Sequence, residues 1–235
     1  MKCLFWTVLM LVALASWTAA EDIELRVNGD RLNQRFVDLA RFGKNAEGGI
    51  DRYAFSDADI ESRPFLKKSL EDAGLEVRVD EAGNIFGRRK GSRPDLPPIV
   101  FGSHTDSVAN GGMFDGPVGT LSAIEVAHVI NERGITTLHP LEVVIFTDEE
   151  GGLVGSKALI GELTPAALEQ VSHSGKTISA GIEALGGNPA LLANVVRTKG
   201  DIAAYIEIHI EQGRILDSEK IDIGVVEGIV GISWW

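Results

Sequence analysis

Cysteine is nearly absent from this chain: Cys3 is the only one in 235 residues, and it lies in an apolar leader. Removal of that leader leaves a mature chain with neither disulfides nor thiolate metal ligands. Excess positive charge is missing too. Lys and Arg number 22 against 34 Asp and Glu, a formal net charge of −12. No basic stripe is available to meet a phosphate backbone, so nucleic acid is not an expected partner. The sequence has no Gly-x-Ser-x-Gly elbow, and Gly111-Gly112 lacks the Lys-Ser/Thr of a P-loop. It also has no internal repeat and no low-complexity linker.

What is present reads first as an export signal. Lys2 gives a positive start, Leu4 to Trp17 an apolar core and Thr18-Ala19-Ala20 a cleavage site. That core is shorter than the ~20 residues that span a bilayer. Residues 1–20 are therefore expected to be removed, leaving an exported, periplasmic or secreted chain with no stable membrane anchor. The remainder, in a chain 44% hydrophobic and 24% charged, suits one good-sized globular domain.

Hydrophobic periodicity then gives the order of elements. Leu25 to Arg41 reads as an amphipathic helix with Leu32, Phe36 and Leu39 on one stripe, and a second helix begins at Phe55-Ser56-Asp57 and stops at Gly74. Leu75 to Val79 alternates as a strand, with Asn84 to Arg88 its hairpin or neighbour. Ile99 to Gly102 and Leu141 to Phe146 are short apolar runs suited to buried strands, separated by a helix from Pro117 to about Arg133. A helical and loop region covers Leu153 to Thr198. Ala203 to Glu211 alternates strictly, predicting a strand with Tyr205, Glu207, His209 and Glu211 on one face and Ala204, Ile206, Ile208 and Ile210 buried on the other. This order argues an α/β layered domain with a mostly parallel sheet, whose ligands sit beyond the carboxyl ends of the strands.

His104, Glu149 and His209 each fall at or near such an end. His104 is followed by Asp106, which is placed to hold the second nitrogen of a ligating imidazole; the alternative is a loop His beside a helix-capping Asp. Asp115 lies in a glycine-rich loop before Pro117, as a metal-bridging carboxylate or as a cap of the following helix. Asp148-Glu149-Glu150 is either a solvated acidic loop or, if extended, a pair of Glu side chains pointing to opposite sides, one to metal and one to substrate. His209 between Glu207 and Glu211 is a metal ligand or part of a surface ion-pair ladder. His128 reads as a helix-packing residue, and His139 and His173 as loop residues.

The motifs GSHTDSV, GGMFDGPVG, FTDEEG and IEIHIEQG, in this order and spacing, resemble the amidase and carbamoylase branch of the dinuclear-metal aminopeptidase and deacylase clan. That branch includes N-carbamoyl-L-amino-acid hydrolases and allantoate amidohydrolases, and the resemblance covers nearly all of residues 25–232. It implies a three-layer, zinc-exopeptidase-like catalytic domain interrupted by a smaller lid that also forms a homodimer. It also implies two divalent ions (zinc, manganese or cobalt). His104 and His209 would bind metal, Asp115 would bridge the ions, and Glu150 would bind the second. Glu149 would be the general base, Asp106 would orient His104, and Gln212 would lie at the substrate pocket. The implied reaction is hydrolysis of a linear amide or ureido C–N bond in a small molecule. An exopeptidase or acyl-amino-acid deacylase of the same clan is the nearest alternative.

The resemblance has a gap. Family members supply one further His to the second ion from a segment after the lid, and no His follows His209. Residues 21–215 are accordingly expected to be the amino-terminal part of a catalytic domain and 216–235 the start of a lid. The apolar end Ile229–Trp235 reads as a stop within a longer enzyme, or as a truncated product. A remnant that binds metal without turnover is the reading from a different class.

Overall fold

The computed structural model describes residues 24–229 and 231. The expected leader (1–20) and most of the apolar run 229–235 lie outside them. The described elements are α1 (Gly29–Leu39), α2 (Asp57–Asp72), β1 (Glu76–Val79), β2 (Ile85–Arg89), β3 (Ile99–His104), α3 (Pro117–Glu132), β4 (Leu141–Phe146), α4 (Val154–Leu159), α5 (Pro165–Leu168), α6 (Ile178–Ala184), a 3-10 helix (Pro189–Val195), β5 (Ala204–Ile206) and α7 (Ile215–Glu219). Local chemistry sets several boundaries. Asn28 accepts from Arg31 N at 3.0 Å and starts α1 four residues later than the pattern implied. Ser56 caps α2 through Asp59 N, and Gly74, at φ 79, ends its run.

Five strands form one sheet in the order β1-β2-β4-β3-β5. β3 runs parallel to β4 and β5, whereas β1–β2 and β2–β4 are antiparallel. The sheet is thus mixed rather than mostly parallel. The turn between β1 and β2 explains the difference: Asp80 accepts from Ala82 N and Asn84 N, and so short a connection can join only antiparallel strands. Alternate residues serve opposite faces. Ile85, Val143 and Ile145 pack with Phe36, Leu66, Leu70 and Ile124 of α1–α3, while Phe86, Val100 and Val144 pack with Leu159 of α4. Helices on both faces give the expected three layers.

The last strand departs from its pattern. Only Ala204–Ile206 pairs with β3, and the face expected to be buried is open, with Ile206 57% and Ile208 49% exposed. β5 is one of the two edge strands, and its residues Ala204–Ile206 are all exposed. No helix among the described residues is long and apolar enough to cross a membrane.

Candidate metal centre

β4, β3 and β5 deliver their carboxyl ends side by side, with His104 as the last residue of β3. His104 is buried, and its Nδ1 lies 3.1 Å from the Asp106 carbonyl. His209 Nδ1 lies 2.9 Å from the Ile210 carbonyl. A nitrogen that donates to a carbonyl leaves the other nitrogen of a neutral imidazole as a lone-pair donor. Both Nε2 atoms are therefore the ligating candidates. His209 Nε2 is 3.3 Å from Asp115 Oδ1, the two imidazole rings are 6.4 Å apart, and one ligand atom from each of His104, Asp115 and His209 lies within 4.8 Å of the others. Two imidazoles and a carboxylate suit a divalent ion such as zinc, manganese or cobalt.

The surroundings bear on two alternatives left open by the sequence. Asp115 does not cap α3, whose N-cap is Gly116 and which has no side-chain cap; its Oδ2 instead accepts from Gln212 Nε2 at 2.7 Å. Gln212 is thereby brought to the cluster, touching the carboxylate expected to bridge. His209 is not in an ion-pair ladder with its neighbours. Glu207 accepts from Ser103 Oγ at 2.5 Å and from Tyr205 OH at 2.6 Å, and Glu211 accepts from Ile215 N and Leu216 N. Gly116, at φ 79, lies so close to the His104 ring that an added Cβ would collide with it.

Asp106 is buried, and both its oxygens accept main-chain donors from the end of β4: Glu149 N at 3.3 Å and Glu150 N at 3.0 Å. Its Oδ1 is also 3.5 Å from His104 Nδ1. Burial by itself lowers the His104 pKa, but Asp106, Glu149 and Glu150 outweigh that and raise it to about 9. The pocket favours a positive charge at this imidazole.

The Asp148-Glu149-Glu150 segment is not extended. It is a tight turn with Asp148 at φ 54, so the expected opposition of neighbouring side chains does not hold. Glu149 Oε2 reaches to 3.5 Å from His104 Nε2. Glu150 is not part of the three-ligand cluster; it lines an adjoining cavity. Burial raises the pKa of both glutamates. Burial, then the nearby Asp106 charge, raises Asp148 to about 7.

Sequence reasoning missed several residues. Arg52 is wholly buried and donates to the carbonyls of Thr105 (2.7 Å), Phe42 (2.8 Å) and Leu39 (3.1 Å), fixing the peptide between His104 and Asp106. Ser103 and Tyr205 hold Glu207, which joins the ends of β3 and β5. His173 stacks on Tyr53 with centroids 5.9 Å apart. By contrast, His128 packs against Arg35 and Glu132, and His139 bonds the Pro97 carbonyl in a loop, as expected.

Residues 100–233 match peptidase family M20/M25/M40. The chain is 42% identical over 213 residues to an N-carbamoyl-L-amino acid amidohydrolase of Geobacillus stearothermophilus, an alignment covering 88% of this chain and 52% of that protein. It is 35% identical to a ureidoglycolate hydrolase of Oryza sativa subsp. japonica, covering 86% and 44%. Among solved structures, an amidase of the hydantoinase/carbamoylase family from Burkholderia vietnamiensis superposes with a TM-score of 0.76 at 37% identity, covering 85% of this chain and 49% of that one. The chain spans about half the length of the curated relatives it matches.

Proposed function

This chain belongs to peptidase family M20/M25/M40, and from that premise we propose that the protein hydrolyses the ureido C–N bond of N-carbamoyl-L-amino acids or related small ureido acids. The observation that carries the reading is the His104–Asp115–His209 cluster with Glu149 beside it. The family implies a metal, and the residues fit one: both imidazoles turn Nε2 to the cluster, and among the described residues no amine or guanidinium pairs with the Asp115 carboxylate. His104, His209 and Asp115 would hold one ion, and Asp115 with Glu150 would contribute to a second.

When bound, such ions supply Lewis-acid polarisation of the substrate carbonyl and acidify a nearby water. Glu149, its proton affinity raised by burial, takes the proton of the attacking water and returns it to the leaving nitrogen. Asp106 orients His104 and holds the turn that presents Glu149. Gln212 fixes the rotamer of Asp115. The carbamate left after C–N cleavage decomposes to carbon dioxide and ammonia. Homodimerisation of the full-length protein and export after cleavage behind Ala20 complete the proposal.

The test is ammonia release from N-carbamoyl-L-amino acids by the full-length protein, with dipeptides assayed in parallel. Ammonia from the carbamoyl compounds, abolished by a chelator and by Glu149→Gln, supports the reading. Dipeptide cleavage without ammonia would transfer the protein to the exopeptidase side of the family.

A further inference from the structure

Beyond His104 the main chain leaves the sheet, and side chains hold its carbonyls instead. The His104 carbonyl accepts from Thr120 Oγ1 at 2.9 Å, the Thr105 carbonyl from Arg52 Nε at 2.7 Å and the Asp106 carbonyl from His104 Nδ1 at 3.1 Å. The acceptor that turns His104 is thus a main-chain oxygen. It can fix the ring only if the peptides on either side of Asp106 are themselves fixed. Arg52 grips both. Its guanidinium holds Thr105, and its own main chain is paired with Ser107: Ser107 N donates to the Arg52 carbonyl and Arg52 N to Ser107 Oγ, each at 3.0 Å. Ser107 Oγ in turn donates to the Ile50 carbonyl at 3.0 Å.

The far end of the guanidinium is anchored. Nη1 donates to the Leu39 carbonyl at 3.1 Å and to the Phe42 carbonyl at 2.8 Å, where α1 ends and leaves carbonyls in need of donors. Arg52 is 1% exposed, and its side-chain bonds all go to neutral carbonyls; Asp59 and Asp106 act on its charge without bonding it. Burying a guanidinium without a bonded carboxylate is costly, and an apolar side chain would fill the core without that cost. What arginine adds is a planar set of donors in fixed directions, one aimed at the end of β3 and one at the end of α1.

We propose that Arg52 is a positioning residue of the metal centre. By clamping segment 105–107 to the end of α1, it fixes the Asp106 carbonyl that orients His104. It thereby also fixes the Asp106 carboxylate that holds the Glu149–Glu150 turn. The proposal rests on the metal-centre reading of His104, Asp115 and His209, and deepens it.

The test compares the full chain with Arg52→Met, Arg52→Lys and Leu70→Ala, each checked for folding by circular dichroism. Leu70 is fully buried in the core under α1–α3, so its truncation reports what loss of stability does by itself. The first readout needs no metal: it is the NMR signal of the proton on His104 Nδ1, identified by its absence from His104→Gln. That proton is present both in the neutral tautomer that donates to Asp106 and in the imidazolium. A slowly exchanging signal is expected in the parent and in Leu70→Ala, and its shift or loss in Arg52→Met. The second readout is manganese affinity by chelator competition. It should fall about ten-fold in Arg52→Met, the low end of what loss of a ligand's supporting bond costs, and stay unchanged in Leu70→Ala. Lysine keeps the charge and the stem but has one nitrogen, which cannot serve Thr105 and the α1 carbonyls together. Arg52→Lys should therefore restore neither readout, and it carries the test should Arg52→Met not fold. A folded Arg52 variant with parental manganese affinity, equal losses in Leu70→Ala, or no such ring signal in the parent would overturn the proposal. A ring signal that depends on Arg52 in a parent that binds no manganese would keep the clamp and overturn the metal-centre reading.

Discussion

Asp106 Oδ2 accepts the main-chain N–H of Glu150 at 3.0 Å, while its partner oxygen accepts that of Glu149 at 3.3 Å. One buried carboxylate two residues beyond β3 thus fixes the turn at the end of β4. The same group lies 3.5 Å from the Nδ1 of His104. It sets the position of a ligand imidazole and of the neighbouring glutamates at once.

Removing that carboxylate is expected to weaken metal binding by about 10–100-fold, as loss of a ligand's supporting partner typically does. Asp106→Ala should still fold, at a cost of about 1–3 kcal/mol for the main-chain donors left unpaired. Competition against a chelator gives the affinity and circular dichroism the fold. A folded variant with unchanged affinity would remove Asp106 from the site.

Gly116 packs directly against the His104 ring. A methyl group there meets the ring and also strains a residue at φ 79 and ψ −55, a sparsely populated conformation that costs of order 1–3 kcal/mol. Gly116→Ala is expected to lower metal affinity more than ten-fold while reducing thermal stability only modestly. Gly134→Ala makes a comparison, because it has a similar φ of 62 but nothing near its added Cβ; it should lose stability without losing affinity. Equal affinity losses in both would show that the effect is strain alone.

Glu207 joins the ends of β3 and β5 through Ser103 and Tyr205. Glu207→Gln keeps its size and its bonding to both hydroxyls, whereas Glu207→Ala removes both bonds. The alanine variant is expected to lose metal affinity several-fold and the glutamine variant to recover most of it. Failure of glutamine to rescue would mean that the charge, not the bridging geometry, matters.

How legible this was in advance varied with the range of the interaction. β4 matches its apolar run, Leu141–Phe146, end for end, because a fully buried strand carries its signal within six residues. Glycine turns and strand ends mark His104, Asp115 and His209 locally as candidates, while their assignment as ligands comes from the resemblance of the motifs around them. Long-range effects were not legible. Nothing near Arg52 shows that it bonds Thr105, and nothing near Tyr53 shows that His173 stacks on it. The alternation from Ala203 to Glu211 misled for a related reason: it reports which residues share a face, not whether anything covers that face. Whether Asp148–Glu150 is extended or a turn stays open in the sequence, because a left-handed φ at Asp has no reliable local signature.

A buried acid outside the site gives a pH-dependent prediction. Asp59 accepts from Phe55 N at 2.8 Å. Burial, partly offset by Arg63, raises its pKa from 3.8 to about 6. A pKa raised on folding contributes stability that is fully present below 3.8 and lost as pH rises through about 6. Above that range the ionised group costs ~3 kcal/mol relative to a neutral one. Asp59→Asn keeps an acceptor for Phe55 and has no charge to bury. Thermal melts should show the variant gaining on the parent between those two pH values and holding its advantage above them. A constant difference across the range would contradict the assigned cause.

The cluster of His104, Asp115 and His209 carries the functional reading, and metal content tests it most directly. The purified chain is equilibrated with manganese or zinc, dialysed and measured by elemental analysis beside His209→Ala and Asp115→Ala. One tightly held divalent ion per chain, lost in both variants while circular dichroism is unchanged, is the predicted result. Retention of the same metal content by either folded variant would contradict the account.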